Sequence, residues 1–329
     1  MSNFVSAIYE FLYDVISPIF GYVMLFFYSI VDGFGASYGF AIILFTIFAR
    51  MIMMPTTINQ QKGMAKQQRL APKIRRIQEK YAGDTQKIQQ ETQNLYAREG
   101  YNPMSAGCLP LLIQMPFIIG LFGVLYNPLR YAIGLDKVAA EALIDSFVNM
   151  AEKTGLDIGK TAMYYPLYLL EHFNDFVQYL SGQSVEGVSA EAMQKVSSFV
   201  ENNRFVFFGF QLGVKPDFKS KYALIPILSG LTSLASAFIT QLQQKKSNPA
   251  AKAPGAGCTM LMMPAMSIWF TTMFPTGIGI YWIVSNIFAM VQSVVMRKIF
   301  SPQKNVAKDM VKETIERRSR EESVKRINK

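Results

Sequence analysis

An arginine at position 50 stands inside an apolar run, with Thr46 one helical turn before it. A fixed cation there can hold an anionic group within a membrane, which is electrostatic chemistry and breaks no bond. The usual catalytic sets are missing. No Asp or Glu falls in any of five long apolar segments, so a carboxylate proton relay or cation site has no ligands there. The single histidine, His172, is too little for a zinc site or a His-based triad. Cys108 and Cys258 fit two free buried thiols better than a disulfide framework. Gly33-Phe34-Gly35 and Gly277-Ile278-Gly279 lack a following Lys-Ser/Thr pair and read as turn glycines. The expectation is therefore a protein that is not an enzyme and needs no cofactor or metal.

The elements that would position Arg50 are membrane helices. The chain has 329 residues, half of them hydrophobic, yet its net charge is +10. About 20 apolar residues cross a bilayer as a helix. Segments 38–54, 108–126 and 222–241 qualify. The stretch 259–299 is too long for one crossing and carries Phe274-Pro275-Thr276-Gly277, a turn signal, so it divides into 259–274 and 279–299. Residues 260–274 would rise only about 22 Å, short against a core of about 30 Å. Residues 12–31 are also apolar enough to span. Against that, Asn3, Ser6, Glu10, Asp14 and Ser17 make a polar stripe, and residues 1–35 are expected to form an amphipathic helix on the membrane surface. No basic residue precedes Arg50 and no cysteine lies near the start, so neither a standard signal peptide nor a lipoprotein anchor is expected.

Lys and Arg mark cytoplasmic loops. Residues 55–103 hold nine basic and four acidic residues; 245–257 hold Lys245, Lys246 and Lys252 and no acid. The tail from Arg297 has eleven basic and five acidic residues, whereas 127–220 has eight and eleven. This alternation puts the N-terminus outside, the C-terminus inside, and 127–220 outside. Residues 56–103 read as a helical hairpin with a seam of Met64, Ile74, Ile77 and Tyr81, a kink near Pro72, a turn at Gly83 and an N-cap at Asp84. Helical patterns run through 138–153 and 190–202, and residues 164–170 with Phe173, Phe176 and Tyr179 are placed at the membrane interface. The tail 301–329 is basic and lacks aromatics, which suits anionic surfaces and not base-specific RNA reading. The fold expected is an all-α integral membrane protein with five transmembrane helices, of which 36–300 form the core.

Arg50 has two readings. Five residues from Pro55, it can snorkel to the inner interface, or it can line a water-filled cavity open to the cytoplasm. Polar residues elsewhere in the spans suit the second reading: Gln114 in the second span, Ser229, Thr232, Ser233, Ser236 and Thr240 in the third, and Ser285, Asn286 and Gln292 in the last. Small polar residues also serve ordinary helix packing.

Three stretches resemble one family, the YidC/mitochondrial oxidase-assembly/thylakoid-Albino membrane protein insertases. They are Tyr38-Gly39-Phe40-Ala41-Ile42-Ile43-Leu44 with Thr46, Arg50 and Pro55; Asn102-Pro103 with 107–116 (Gly-Cys-Leu-Pro-Leu-Leu-Ile-Gln-Met-Pro); and Phe274-Pro275-Thr276-Gly277 with 281–286 (Tyr-Trp-Ile-Val-Ser-Asn). The resemblance covers about 36–128 and 218–300. It implies an energy-independent insertase and chaperone for nascent membrane proteins, working through a hydrophilic, positively charged groove open to cytoplasm and lipid. It implies groove positions at Arg50, Gln114, Tyr281 and Trp282, to which Thr46, Thr232 and Ser236 are added from the polar stripes. It also implies a substrate-receiving hairpin, ribosome contact through the tail and hairpin, possible partnership with the Sec translocon and the signal recognition particle pathway, and a monomer in a bacterial plasma membrane. The large outer domain ahead of the first core span and the lipoprotein cysteine of some members are not expected here, and 127–220 is longer than the family leads one to expect. An anion transporter or channel, or a passive assembly scaffold, are the alternatives.

Overall fold

The computed structural model describes the chain except residues 1, 35–36, 102–108, 160, 182–183, 248–255, 300–310, 312–313, 316–317, 320 and 322–329. For 2–14, 61–62, 64–69, 109–115, 243–247, 256–261, 263 and 297–299 it describes the backbone alone. Cys108 and nearly all of the basic tail thus lie outside the described residues, as do the side chains of Cys258, Lys245, Lys246 and Gln114.

The molecule is an all-α integral membrane protein. Among the described residues, Val15–Asp32, Lys221–Leu242 and Thr276–Met296 are long and apolar enough to cross a membrane, and Tyr38–Ile52 with Met54–Gln60 makes a fourth if that bent pair is one span. Pro116–Tyr126 is a shorter apolar stretch. By contact the chain divides into two compact units, Met1–Met51 with Gln114–Ser233 and Met262–Asn286, and Ile52–Ile113 with Leu234–Leu261 and Ile287–Lys329.

In the first unit, α1 (Ser2–Asp32) is followed by α2 (Tyr38–Ile52). The polar stripe expected to keep α1 on the surface falls mostly on side chains outside the described residues; Ser17, its last member, is buried. One face of the apolar half of α1 is packed: Met24 is fully buried, Phe20 meets Phe45 and Phe117, and Gly21 lies directly under the ring of Tyr131, while Ile19, Tyr22 and Phe26 stay exposed. α5 (Leu109–Tyr126) packs on the same helix, Gly120 leaving room for Phe20 and Ile16.

Residues 127–220 form a folded cap. It contains α6 (Pro128–Tyr131), α7 (Lys137–Thr154), α8 (Tyr165–Glu171), α9 (Phe173–Leu180), α10 (Ala190–Glu201) and a two-residue hairpin, β1 (Val206–Phe207) and β2 (Phe210–Gln211), with Phe207 opposite Phe210. Asp136 and Ser189 cap α7 and α10 by accepting from the amides of Ala139 and Ala192. The aromatic and leucine run placed at the membrane interface is instead the cap's core. Leu167, Leu169, Leu170, Phe173 and Phe176 are buried with Leu143, Phe147, Val196 and Phe199.

The chain leaving the cap ties it to the membrane helices of this unit. The Tyr38 amide donates to the Arg204 carbonyl at 2.8 Å, at the start of α2. The amides of Thr276 and Gly277, at the start of α13 (Thr276–Ile299), donate to the carbonyls of Val214 and Leu212, each at 2.9 Å. The Thr276 hydroxyl adds a bond to Val214. A helix start has up to four unpaired amides, and here backbone carbonyls from residues 204–214 take one at the start of α2 and two at the start of α13. Gly39 explains its place in the first motif: a Cβ there would sit 2.3 Å from the Phe207 ring. We expect Gly39→Ala to lower stability by about 1–3 kcal/mol through overpacking, read as a fall in the thermal midpoint of the detergent-purified chain.

α11 (Leu224–Ser247) and α12 (Ala256–Met273) lie between the cap and α13 in the chain. α12 begins before residue 260, so its 18 residues rise about 27 Å where about 22 Å is expected of residues 260–274.

The second unit contains the hairpin of α3 (Met54–Lys80) and α4 (Thr85–Arg98). α3 runs through Pro72 without a break in its helical residues, and Pro72 is exposed. Asp84 caps α4 by accepting from the Lys87 amide at 3.0 Å. Leu70 is buried, Ile74, Ile77 and Tyr81 are half-buried, and Lys73 pairs with Glu99 across the hairpin. Pro55 sits in the first turn of α3, where its missing amide costs nothing, and Met53 breaks the helix from α2.

Candidate functional site

Arg50 is in the last turn of α2, in a helix that is otherwise apolar. Its guanidinium reaches α13: Nε donates to the Ser285 hydroxyl at 2.8 Å, and a second guanidinium nitrogen reaches the same oxygen. No carboxylate pairs with it among the described residues. Among the described residues the charge is therefore held by a neutral acceptor. Thr46 is fully buried and donates to the Ile42 carbonyl at 2.6 Å, so its proton is spent within its own helix.

Tyr281 lies one turn before Ser285 on α13 and is buried. Trp282, half-buried, stacks on Phe270 at 5.3 Å between centroids, and Phe270 continues to Phe274 and Phe122. This aromatic row fixes the start of α13 against α12 and α5. A polar cluster holds α11, α12 and α13 together one turn further along. Ser229 and Ser267 share a buried hydrogen bond at 2.7 Å, and the Asn286 amide donates weakly to the Ser229 carbonyl and the Thr232 hydroxyl at 3.4 and 3.3 Å. Gly230 brings Ile268 close, within 2.5 Å of where a Cβ would be. Small residues and interhelical hydroxyls of this kind are how membrane helices approach.

Of the sequence-derived groove positions, Arg50, Thr46, Thr232, Tyr281 and Trp282 fall in the first compact unit. Thr232 belongs to the packing cluster with Asn286, and Ser236, which accepts from the Thr240 hydroxyl through its carbonyl, falls in the second unit. Gln114 lies on α5 with its side chain outside the described residues. The sequence shows Ser285 as one polar residue among many and does not pair it with Arg50. The signal for it was its place in the Tyr281–Asn286 motif, four residues after the tyrosine.

Cavities open at the cap among the described residues. One of about 370 Å³ is bordered by Tyr28, Asp32, Lys195, Asn202 and Arg204. There the Asp32 carboxylate pairs with Arg204 at 3.1 Å and accepts from the Tyr28 hydroxyl. Another, about 310 Å³, lies between Leu170, Glu171, Asn174 and Asn203. Neither includes Arg50.

The family model described as 60Kd inner membrane protein matches residues 29–304. That stretch runs from the end of α1 through Arg50, the cap and all of α13. The chain belongs to this family, that of the YidC-type and Albino-type membrane insertases. It is 28% identical over 273 residues to membrane protein insertase YidC 1 of Listeria monocytogenes, covering 82% of this chain and 67% of that one. It is 28% identical over 274 residues to the YidC insertase of Wolinella succinogenes, covering 83% and 36%. It is 30% identical over 273 residues to the chloroplast inner membrane protein ALBINO3 of Arabidopsis thaliana, covering 82% and 48%. The chain spans about two thirds of the Listeria protein and half or less of the other two.

Proposed function

We propose that this chain inserts nascent membrane proteins into the bilayer and assists their folding, without an energy source of its own. The observation that carries the reading is Arg50, a guanidinium set in an apolar helix and held only by a serine hydroxyl among the described residues, in a family whose relatives are named as membrane protein insertases. The groove proposed is hydrophilic, positively charged and open to cytoplasm and lipid. Arg50, Thr46, Gln114, Thr232, Ser236, Tyr281 and Trp282 are its proposed lining. A substrate's short acidic outer end enters and is drawn to Arg50 while its apolar segment leaves sideways into lipid. Burial of that segment, at about 25 cal/mol per Å², drives the step.

The charge bias supports a cytoplasmic hairpin 56–103 and tail 301–329, with the cap 127–220 outside in a bacterial plasma membrane. The hairpin and tail would then receive substrate from the ribosome, alone or beside the Sec translocon and the signal recognition particle pathway, with the chain acting as a monomer. The test is reconstitution of the purified chain alone in liposomes with a small single-span substrate. Insertion above the rate of empty liposomes, with no nucleotide and no membrane potential, is expected. Absence of any gain over empty liposomes, or anion flux through the same vesicles, would overturn the reading.

A further inference from the structure

The cap carries an exposed aromatic where a turn would ordinarily place Asn or Gly. The β1–β2 hairpin closes with Phe208 and Gly209, both at positive φ, 47° and 80°. Two-residue hairpins with two positive φ values favour Asn-Gly, and a bulky residue at the first position is an outlier. Phe208 is nevertheless 79% exposed, so the cap's core does not account for it. A strained backbone that holds an apolar ring in the open points to something outside the chain that receives it.

The neighbours say what that is. The Phe208 ring lies 6.3 Å from Phe40, in the first turn of α2, and 4.5 Å from Phe207, which itself meets Phe40 edge-on at 5.1 Å. Phe40 and Leu44 are exposed on α2 along the face that continues from this cluster; Leu224, Ile227, Leu228 and Leu231 are exposed along α11. In a membrane protein such rows face lipid tails. Lys221, just before α11, donates to the Gly209 carbonyl at 2.7 Å and lies over the rings of Phe210 and Tyr222. Lys219 and the exposed Phe218 adjoin it in sequence. Aromatic rings with lysines beside them, level with helix starts, are the composition of a bilayer interface.

We infer that the Phe208 hairpin is a membrane anchor: it dips into the lipid leaflet on the cap's side and holds the cap down against the bilayer beside α2. The occupant is lipid, because the patch is continuous with the lipid-facing rows of the two helices. The inference does not depend on insertase activity.

The test places a nitroxide at Phe208→Cys in a Cys108→Ser/Cys258→Ser background. The full chain is reconstituted in vesicles of phosphatidylcholine and phosphatidylglycerol with no other protein. Collision with oxygen and with a water-soluble nickel chelate is compared with two controls, Val138→Cys on the exposed surface of α7 and Leu228→Cys on the exposed face of α11. The label at 208 is expected to show the oxygen-rich, nickel-poor ratio of position 228. A ratio matching position 138 overturns the inference, as does shielding that arises only when other proteins are added. Phe208→Trp supplies a second readout free of the label: fluorescence quenching by brominated lipid should rise above that of the parent chain, and an unchanged quench counts against the anchor.

Discussion

Arg50→Ala should slow insertion of a substrate with an acidic outer end by roughly tenfold or more, and should slow a neutral-tailed version of the same substrate much less. A carboxylate about 8 Å from the guanidinium, at an effective dielectric near 20, gains about 2 kcal/mol, or a factor of roughly 30 in rate. Water in a groove reduces that gain, which sets tenfold as the scale. The change in the free protein is small by comparison, since the substitution leaves only the Ser285 hydroxyl without its donor. Arg50→Lys should restore much of the rate, because it keeps the charge and loses only the two-pronged contact. Initial insertion rates in proteoliposomes, for acidic and neutralised tails in both backgrounds, form a double-mutant cycle whose coupling term isolates the charge pair. Equal slowing of both substrates by Arg50→Ala would sink the attraction and leave Arg50 a packing role with Ser285.

Phe147→Ala should unfold the cap. Phe147 has no exposed surface and lies edge-on to Phe176 at 5.9 Å. Truncating a buried Phe costs about 3–5 kcal/mol, comparable with the whole stability of many small domains, about 5–15 kcal/mol. Hydrogen exchange should show lost protection over α7 to α10, and protease should nick residues 137–201. The interior halves of the membrane helices should stay protected, because their backbone bonds are within each helix. Full protection of α7 to α10 in the variant would show that Phe147 is not central to the cap.

How far the sequence revealed this arrangement depended on whether a feature was local. The start of α4 followed from Asp84, and α7 and α10 from apolar spacing, because each depends on a few adjacent residues; the break at Met53 falls inside the segment 38–54 read as one span. The run from Leu167 to Phe176 was misplaced at the membrane interface because apolar spacing reports that a face is covered, and not whether lipid or another helix covers it. Pairings across long separations were not legible: Arg50 with Ser285 is 235 residues apart, and Gly39 needs the Phe207 ring to explain it. The start of α12 is not legible because Ala256 and Gly257 look like loop, and propensity is a weak guide to where a helix begins.

The carbonyls of Arg204, Leu212 and Val214 that satisfy the starts of α2 and α13 also impose a sequence of events on the chain's own birth. α2 leaves the ribosome long before residue 204 exists. At about 5–20 residues per second, Tyr38 waits on the order of ten to thirty seconds for its acceptor, and Thr276 then arrives to find Val214 already made. The newborn protein therefore passes through an interval in which its first Arg50-bearing helix is in the membrane with a raw end and no Ser285. α13 supplies both the cap's second junction and the arginine's contact, so neither can form before residues 276–285 are made.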